Sequence, residues 1–206
     1  MLIEKLMSGL WMGDNARRIL LTFARKTQLF GSKARPRAAA SRLEPPCHGC
    51  CLHPVPAKLE DPEAFTTAHL SMIESDATPL RSNVSRVLKD ALGVTDLCCE
   101  TLYMVQSVCR LVVRRSARMA AIALVAILRL QGWLDAPRRI VVAVDGGVFL
   151  KYYNWRVFLD QYMRETFAHH GKDARHLAQL VEFRPQADGS CIGAAVLAAA
   201  AVAGDA

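Results

Sequence analysis

The sequence has no hydrophobic run long enough to cross a bilayer. Its longest apolar stretches are Met119–Leu128 and Ile192–Ala203, and a membrane-spanning helix needs roughly 20 predominantly apolar residues. Met1–Met12 lacks a long apolar core and carries Glu4 and Lys5, so it does not read as a secretory signal. The 7 cysteines are an odd number without framework spacing. That argues against a disulfide-stapled scaffold and suits a reducing compartment. Aromatic residues are scarce, at 7%, and only Tyr103 stands near Arg110, Arg114, Arg115 and Arg118. A single-strand-binding platform would interleave aromatics with its cations. This cluster therefore reads as a solvated helix face, and no nucleic-acid partner is expected.

What is present is ordinary globular material. The 206 residues, 52% hydrophobic and 22% charged, suffice for one good-sized domain or two small ones. The formal net charge of +7 is concentrated in Arg17–Arg42 and Arg110–Arg118. It permits an anionic ligand without demanding one.

Leu2–Phe30 predicts a helix, because Ala16, Ile19, Leu20, Phe23, Thr27 and Phe30 recur at helical spacing before Gly31. Gly9 and Gly13 interrupt its front end, which also fits a short helix, a turn and then the main helix. Ser32–Lys58, with Pro36, Pro45, Pro46, Pro54 and Pro56, reads as an irregular linker. Inside it, Cys47-His48-Gly49-Cys50-Cys51 and His53 are the right residue types for zinc. No second ligand pair follows at a suitable distance, so no metal site is expected. Phe65–Asp76 restarts ordered structure. Thr66 and Thr67 there can bond backbone or a ligand's oxygens, and Glu74-Ser75-Asp76 can cap the next element. Val84–Leu92 reads as a helix closed by Gly93. Thr95–Asp96 offers the next N-cap before a long helical tract, Leu97–Leu130. In that tract Leu102, Val105, Val108, Val112 and Val113 mark the core face. Cys98, Cys99 and Cys109 read as small core residues. Met119–Leu128, apolar all round, is expected to be buried on every side.

The last third repeats one scheme. Arg138–Val144 is the clearest strand, its continuous β-branched run suggesting cover on both faces. Asp145-Gly146-Gly147 ends it, and Trp155–Phe167 is a helix. Leu180–Phe183 is a second strand, and in the stretch Ala187–Ala201 the turn Asp188-Gly189-Ser190 feeds a small-residue helix expected to be buried. Two adjacent strands whose turns share one end make a ligand crevice, as open α/β sheets do. The free N–H groups of a helix's first turn favour an anion such as phosphate there.

These stretches resemble the C-terminal portion of a eukaryotic hexokinase, and plant members most of all. The matching residues are Ile3-Glu4-Lys5-Leu6-Met7-Ser8-Gly9 with Met12-Gly13 and Arg17–Leu21, Thr67–Asp76, Arg115–Ala121, Val144–Gly147 and Asp188–Ala195. They run in family order over nearly all of the chain except Ser32–Lys58. The resemblance implies an α/β, helix-rich, incomplete actin-like (ribonuclease H-like) ATPase lobe. It implies ATP-dependent phosphorylation of a glucose-type hexose at its 6-hydroxyl, feeding glycolysis in the cytoplasm, with the mitochondrial surface and plastid as family alternatives.

Position by position, the resemblance puts Glu4 on sugar hydroxyls, since a carboxylate can accept from two adjacent ones. It puts Gly9, Leu10, Thr67, Ala68, His69, Leu70 and Ser71 on ATP near its phosphates, and Gly189, Ser190 and Gly193 beside the adenosine. Mg²⁺ arrives with ATP, and no protein ligand for it is identified. Residues 1–31 form the sugar-side start, 32–58 a linker and 59–206 the nucleotide-binding part. Animal members often carry lysine where Leu10 stands. The family's Asp-Gly-Ser-Gly-x-Gly has Cys191 at its second glycine; if that position requires positive φ, cysteine costs on the order of 1 kcal/mol. The family's phosphate-gripping loop, general base and most of its sugar-binding residues are expected before Met1. The chain is therefore expected to be inactive alone, with the missing half as a potential partner. The remaining two strands would then show an unpaired edge and an uncovered apolar face. Two other classes stay open: a non-catalytic sugar- or nucleotide-binding regulator, and a basic polyanion-interaction protein.

Overall fold

The computed structural model describes residues 2–27, 29–30, 55–95, 97–171 and 173–204. The Cys47–His53 cluster, Gly31, Asp96 and nearly all of the expected linker lie outside the described residues. The chain divides into two compact units, residues 1–116 and 117–206.

In the first unit, α1 (Leu2–Met7) and α2 (Gly9–Lys26) are separated by Ser8, so the short-helix, turn, main-helix alternative holds. The Ser8 hydroxyl caps α2, accepting from the Leu10 N–H at 3.2 Å. A 3₁₀ turn at Ala57–Glu60 precedes α3 (Thr67–Glu74) and α4 (Ser82–Leu92). Ala57 and Lys58, expected in the linker, thus belong to this turn. Gly93, at φ 69°, closes α4 as expected: its N–H bonds the Lys89 carbonyl and the Val94 N–H bonds that of Leu88. Met12, Ala16, Leu20, Leu59, Phe65 and Leu70 are among its buried core residues.

The long tract is one helix, α5 (Cys99–Leu130), which runs across the division between the units. Its predicted core positions Leu102, Val105, Val108, Cys109, Val112 and Val113 are all buried. Cys98 is only half-buried and Cys99 is exposed, so of the three cysteines read as core only Cys109 qualifies. Met119–Leu128 buries Ala121, Val125 and Leu128 but exposes Ile122 and Ile127. An all-apolar composition permits burial on every side without supplying the neighbours that would achieve it.

In the second unit, β1 (Ile140–Val144) and β2 (Val181–Pro185) form a parallel two-stranded sheet, Ile140 opposite Val181 through Val144 opposite Pro185. A parallel pair needs a long crossover, supplied by α6 (Gly147–Lys151), α7 (Tyr153–His169) and α8 (Ala174–Leu180). Leu180, expected in the strand, ends α8. Trp155, Leu159, Tyr162, Met163 and Phe167 bury the inner face of α7, and Trp133 packs on Phe167 at 6.1 Å. The Trp133 indole N–H anchors the approach to β1 through the Arg138 carbonyl at 2.7 Å.

Two expectations are corrected here. β1 is not covered on both faces: its residues alternate half-buried and exposed, and Val141 is 45% exposed. β-Branched residues suit any pleated surface, so an unbroken run of them does not report double cover. The small-residue helix α9 (Gly189–Gly204) is not buried either; its side chains from Cys191 to Ala201 are exposed. A helix apolar all round has no single face to bury and needs neighbours on every side. The open sheet face fits the expectation for a partial lobe.

Candidate functional site

In the first unit the starts of α2 and α3 meet. The Thr67 hydroxyl donates to the Gly9 carbonyl and accepts from the Gly13 N–H at 3.0 Å. Gly9 and Gly13 are the pair that an i→i−4 helical bond would join, so Thr67 is built into the first turn of α2. The approach is close enough to require glycine. A Cβ on Gly13 would lie 2.4 Å from the Thr66 carbonyl carbon and 2.5 Å from the Phe65 oxygen. Thr66 then caps α3 in a reciprocal box. Its hydroxyl accepts from the His69 N–H at 3.4 Å, while its own N–H donates to His69 Nδ1 at 3.2 Å.

Of the residues that the resemblance puts on ATP in this unit, Gly9 and Thr67 bond directly. Leu10 is 75% exposed, Ala68 is exposed, and His69 and Ser71 are half-buried. Leu70 is fully buried, and its N–H bonds the Thr66 carbonyl at 3.1 Å. Glu4 is exposed on α1.

Two carboxylates stiffen the surroundings. Asp14 accepts from Arg17 Nε at 2.8 Å and Arg18 Nε at 2.7 Å, and the buried Arg17 also donates to the Leu59 carbonyl. Burial raises the Asp14 pKa, but the hydrogen bonds from Arg18 and Arg17 outweigh it and hold the carboxyl below its ordinary value. Asp76 is buried and accepts from the Thr78 hydroxyl at 2.7 Å, the Thr78 N–H at 2.9 Å and the Val84 N–H at 2.9 Å. Here too burial raises the pKa, and the bonds from Thr78, Val84 and Asn83 override it. The expectation that Glu74–Asp76 caps the next element is met by Asp76, through the first turn of α4.

In the second unit the turns after β1 and β2 lie side by side. The Ser190 hydroxyl donates to Asp145 Oδ2 at 3.5 Å, and the Gln186 N–H donates to the Val144 carbonyl at 3.0 Å. The turns that follow the two strands thus share one end of the sheet, where Asp145, Gly189 and Ser190 come together. Gly189 is half-buried, and a Cβ there would press on Gln186 Cγ at 3.1 Å. Gly193 is exposed on α9 with open space around it. The left-handed residue of this turn is Asp188, at φ 54°, and not Cys191. Cysteine therefore adds no backbone strain at its position in the first turn of α9.

Among the described residues there is no group of three or more His, Cys, Asp or Glu placed to hold a metal. No helix among them is long and apolar enough to cross a membrane.

Sequence reading missed the need for Gly13. The signal was the Gly9–Gly13 spacing, one helical turn apart on one face, which marks a close approach rather than a break.

Two solved structures share this architecture. A crystal structure of hexokinase superposes with a TM-score of 0.64 at 20% identity, over 91% of this chain and 34% of its own. The hexokinase from Schistosoma mansoni complexed with glucose gives 0.58 at 21% identity, over 90% of this chain and 34% of its own. The fold is accordingly part of an actin-like kinase lobe. The hexokinase family profile matches residues 1–200, and the chain belongs to the hexokinase family. Hexokinase-2 of Oryza sativa subsp. japonica is 33% identical over 201 residues, covering 96% of this chain and 35% of that protein. Hexokinase-4 of Arabidopsis thaliana is 31% identical over 206 residues, covering 95% and 35%. The chain corresponds to a C-terminal portion of a plant-type hexokinase, and spans about a third of these relatives' length.

Proposed function

We propose that this chain is the nucleotide-side part of a hexokinase that transfers phosphate from ATP to the 6-hydroxyl of a glucose-type hexose in the cytoplasm. Residues 1–31 carry the sugar contact Glu4, and residues 59–206 carry the nucleotide contacts. The observation that carries the reading is the bond between Thr67 and Gly9, which ties two of the family's nucleotide-contacting positions into one patch.

In this reading the Glu4 carboxylate accepts hydrogen bonds from neighbouring sugar hydroxyls. The hydroxyl proton of Thr67 is committed to Gly9, so the phosphates, with their Mg²⁺, meet backbone. The Thr67 and Ala68 N–H groups open α3 without helical acceptors, and the helix dipole favours negative charge there. Gly189, Ser190 and Gly193 border the adenosine. Phosphoryl transfer depends on positioning and on stabilising spread charge. This chain supplies positioning from one side of the cleft, and the general base and phosphate-gripping loop belong to the remainder of a complete hexokinase. The chain by itself therefore binds without turning over.

The test is a calorimetric titration with ATP–Mg²⁺, with and without glucose, followed by a coupled turnover assay. Binding without turnover supports the reading. Turnover would mean that a base is present, to be sought among Glu4, Asp14 and Asp145. Absence of binding by a folded chain removes the nucleotide assignment.

A further inference from the structure

The six-residue helix α1 carries Glu4 and is too short to persist by its own propensity, since isolated helices below about 12 residues are marginal in water. Its last carbonyls have no partner within the helix. Each of three has one elsewhere. The Ser8 N–H bonds the Glu4 carbonyl at 2.8 Å. The Asn15 side-chain amide of α2 donates to the Lys5 carbonyl at 2.7 Å. The Ser116 hydroxyl of α5, fully buried, donates to the Met7 carbonyl at 3.0 Å. A fourth tie is the Lys5 ammonium over the Trp11 ring, 5.4 Å from its centroid.

Asn15 and Ser116 are informative because apolar residues would serve the same helix faces. Burying a hydroxyl is unfavourable unless it is bonded, and this one reaches 109 positions back along the chain to α1. Both bonds end on backbone carbonyls of α1. Both fix the backbone that presents Glu4's carboxylate.

We propose that Asn15 and Ser116 are positioning residues for Glu4, clamping α1 by its carbonyl end so that the carboxylate stands in one place before a sugar's hydroxyls. The inference rests on the sugar reading of Glu4 given above. The clamp and the sugar contact are separable by experiment.

The clamp is read by amide hydrogen exchange at Leu6, Met7 and Ser8 in the whole chain, with Val87–Leu92 of α4 as an internal reference. Asn15→Ala and Ser116→Ala should each speed exchange at these three amides by about fivefold, the equivalent of one ordinary hydrogen bond, and leave α4 unchanged. Ser116→Thr, which keeps the hydroxyl, should restore protection. Asn15→Asp, which keeps the size but loses the donor, should not. Unchanged exchange in both alanine variants overturns the proposal, as does equal protection in Asn15→Asp. If either alanine variant speeds exchange everywhere, the residue is a general core element and the proposal also falls.

Glucose titration, followed by the chemical shifts of the same amides, supplies the second readout. The clamp predicts weaker glucose binding in Asn15→Ala, Asn15→Asp and Ser116→Ala, approaching that of Glu4→Gln. Equal glucose affinity in a variant whose α1 has been freed would sink the positioning role. No glucose binding by the parent chain would remove the sugar reading, while the exchange data still decide the clamp.

Discussion

The Thr67 hydroxyl donates to the Gly9 carbonyl across 58 positions of sequence. Through its second bond, from the Gly13 N–H, it joins the start of α3 to the helix that follows Glu4. Thr67→Val keeps the shape and removes both bonds. Because α2 is helical from Gly9 onward and keeps its own backbone ladder, the loss should be modest, about 1–2 kcal/mol. Urea unfolding measures it. Thr67→Ser should recover most of the difference, since only the hydroxyl is required. A Thr67→Val variant as stable as the parent would mean that the bridge does not hold the two helices.

Gly13→Ala tests the contact beneath that bridge. In an open helix, alanine would stabilise by about 1 kcal/mol relative to glycine. Here the new methyl meets backbone at 2.4–2.6 Å, and backbone cannot swing aside as a long side chain can. The net expectation is destabilisation of about 1–3 kcal/mol, read by thermal or urea unfolding. A stabilised variant would show that α2 and α3 stand farther apart.

Asp76 gives a prediction in pH. Its folded pKa lies below the ordinary 3.8, so the folded state binds its proton less readily than the unfolded chain does. The stabilisation is complete above the unfolded value and is lost as pH falls through the depressed folded one. Asp76→Asn should therefore be clearly less stable than the parent at neutral pH. The gap should narrow as the pH falls below the ordinary 3.8. Asp14 shifts in the same direction but is common to both proteins, so the difference isolates Asp76. A gap that stays constant with pH would show that the carboxylate's charge contributes nothing.

Local chemistry made much of this fold legible. Gly93 closed α4 because only a residue at ease with positive φ ends a helix that way. The spacing of Leu102, Val105, Val108 and Val112 fixed the inner face of α5. Cover was not legible, because it depends on neighbours. Ile122, Ile127 and Val141 are as apolar as their buried counterparts and are nonetheless exposed. Of the site, the sequence resemblance named Gly9 and Thr67, but not the bond between them, which spans 58 positions. Asn15 and Ser116 carried no signal at all. A lone polar residue within a helix is common, and only the fold shows which carbonyl it reaches.

The sharpest test of that missing cover is on α9. Were this helix packed in a core, as its composition suggests, Leu197→Lys would bury an unpaired charge and destabilise the chain severely. Leu197 is instead 73% exposed and Val196 62%. In this chain, then, Leu197→Lys should change stability by no more than about 0.5 kcal/mol, while raising solubility by breaking up an exposed apolar surface. Paired measurements of the urea midpoint and the saturation concentration decide it. An unchanged midpoint with higher solubility places α9 on the surface of the isolated chain. A collapse in stability would mean that α9 is covered in solution, and the candidate adenosine turn at its start would then have to be rebuilt with that cover in place.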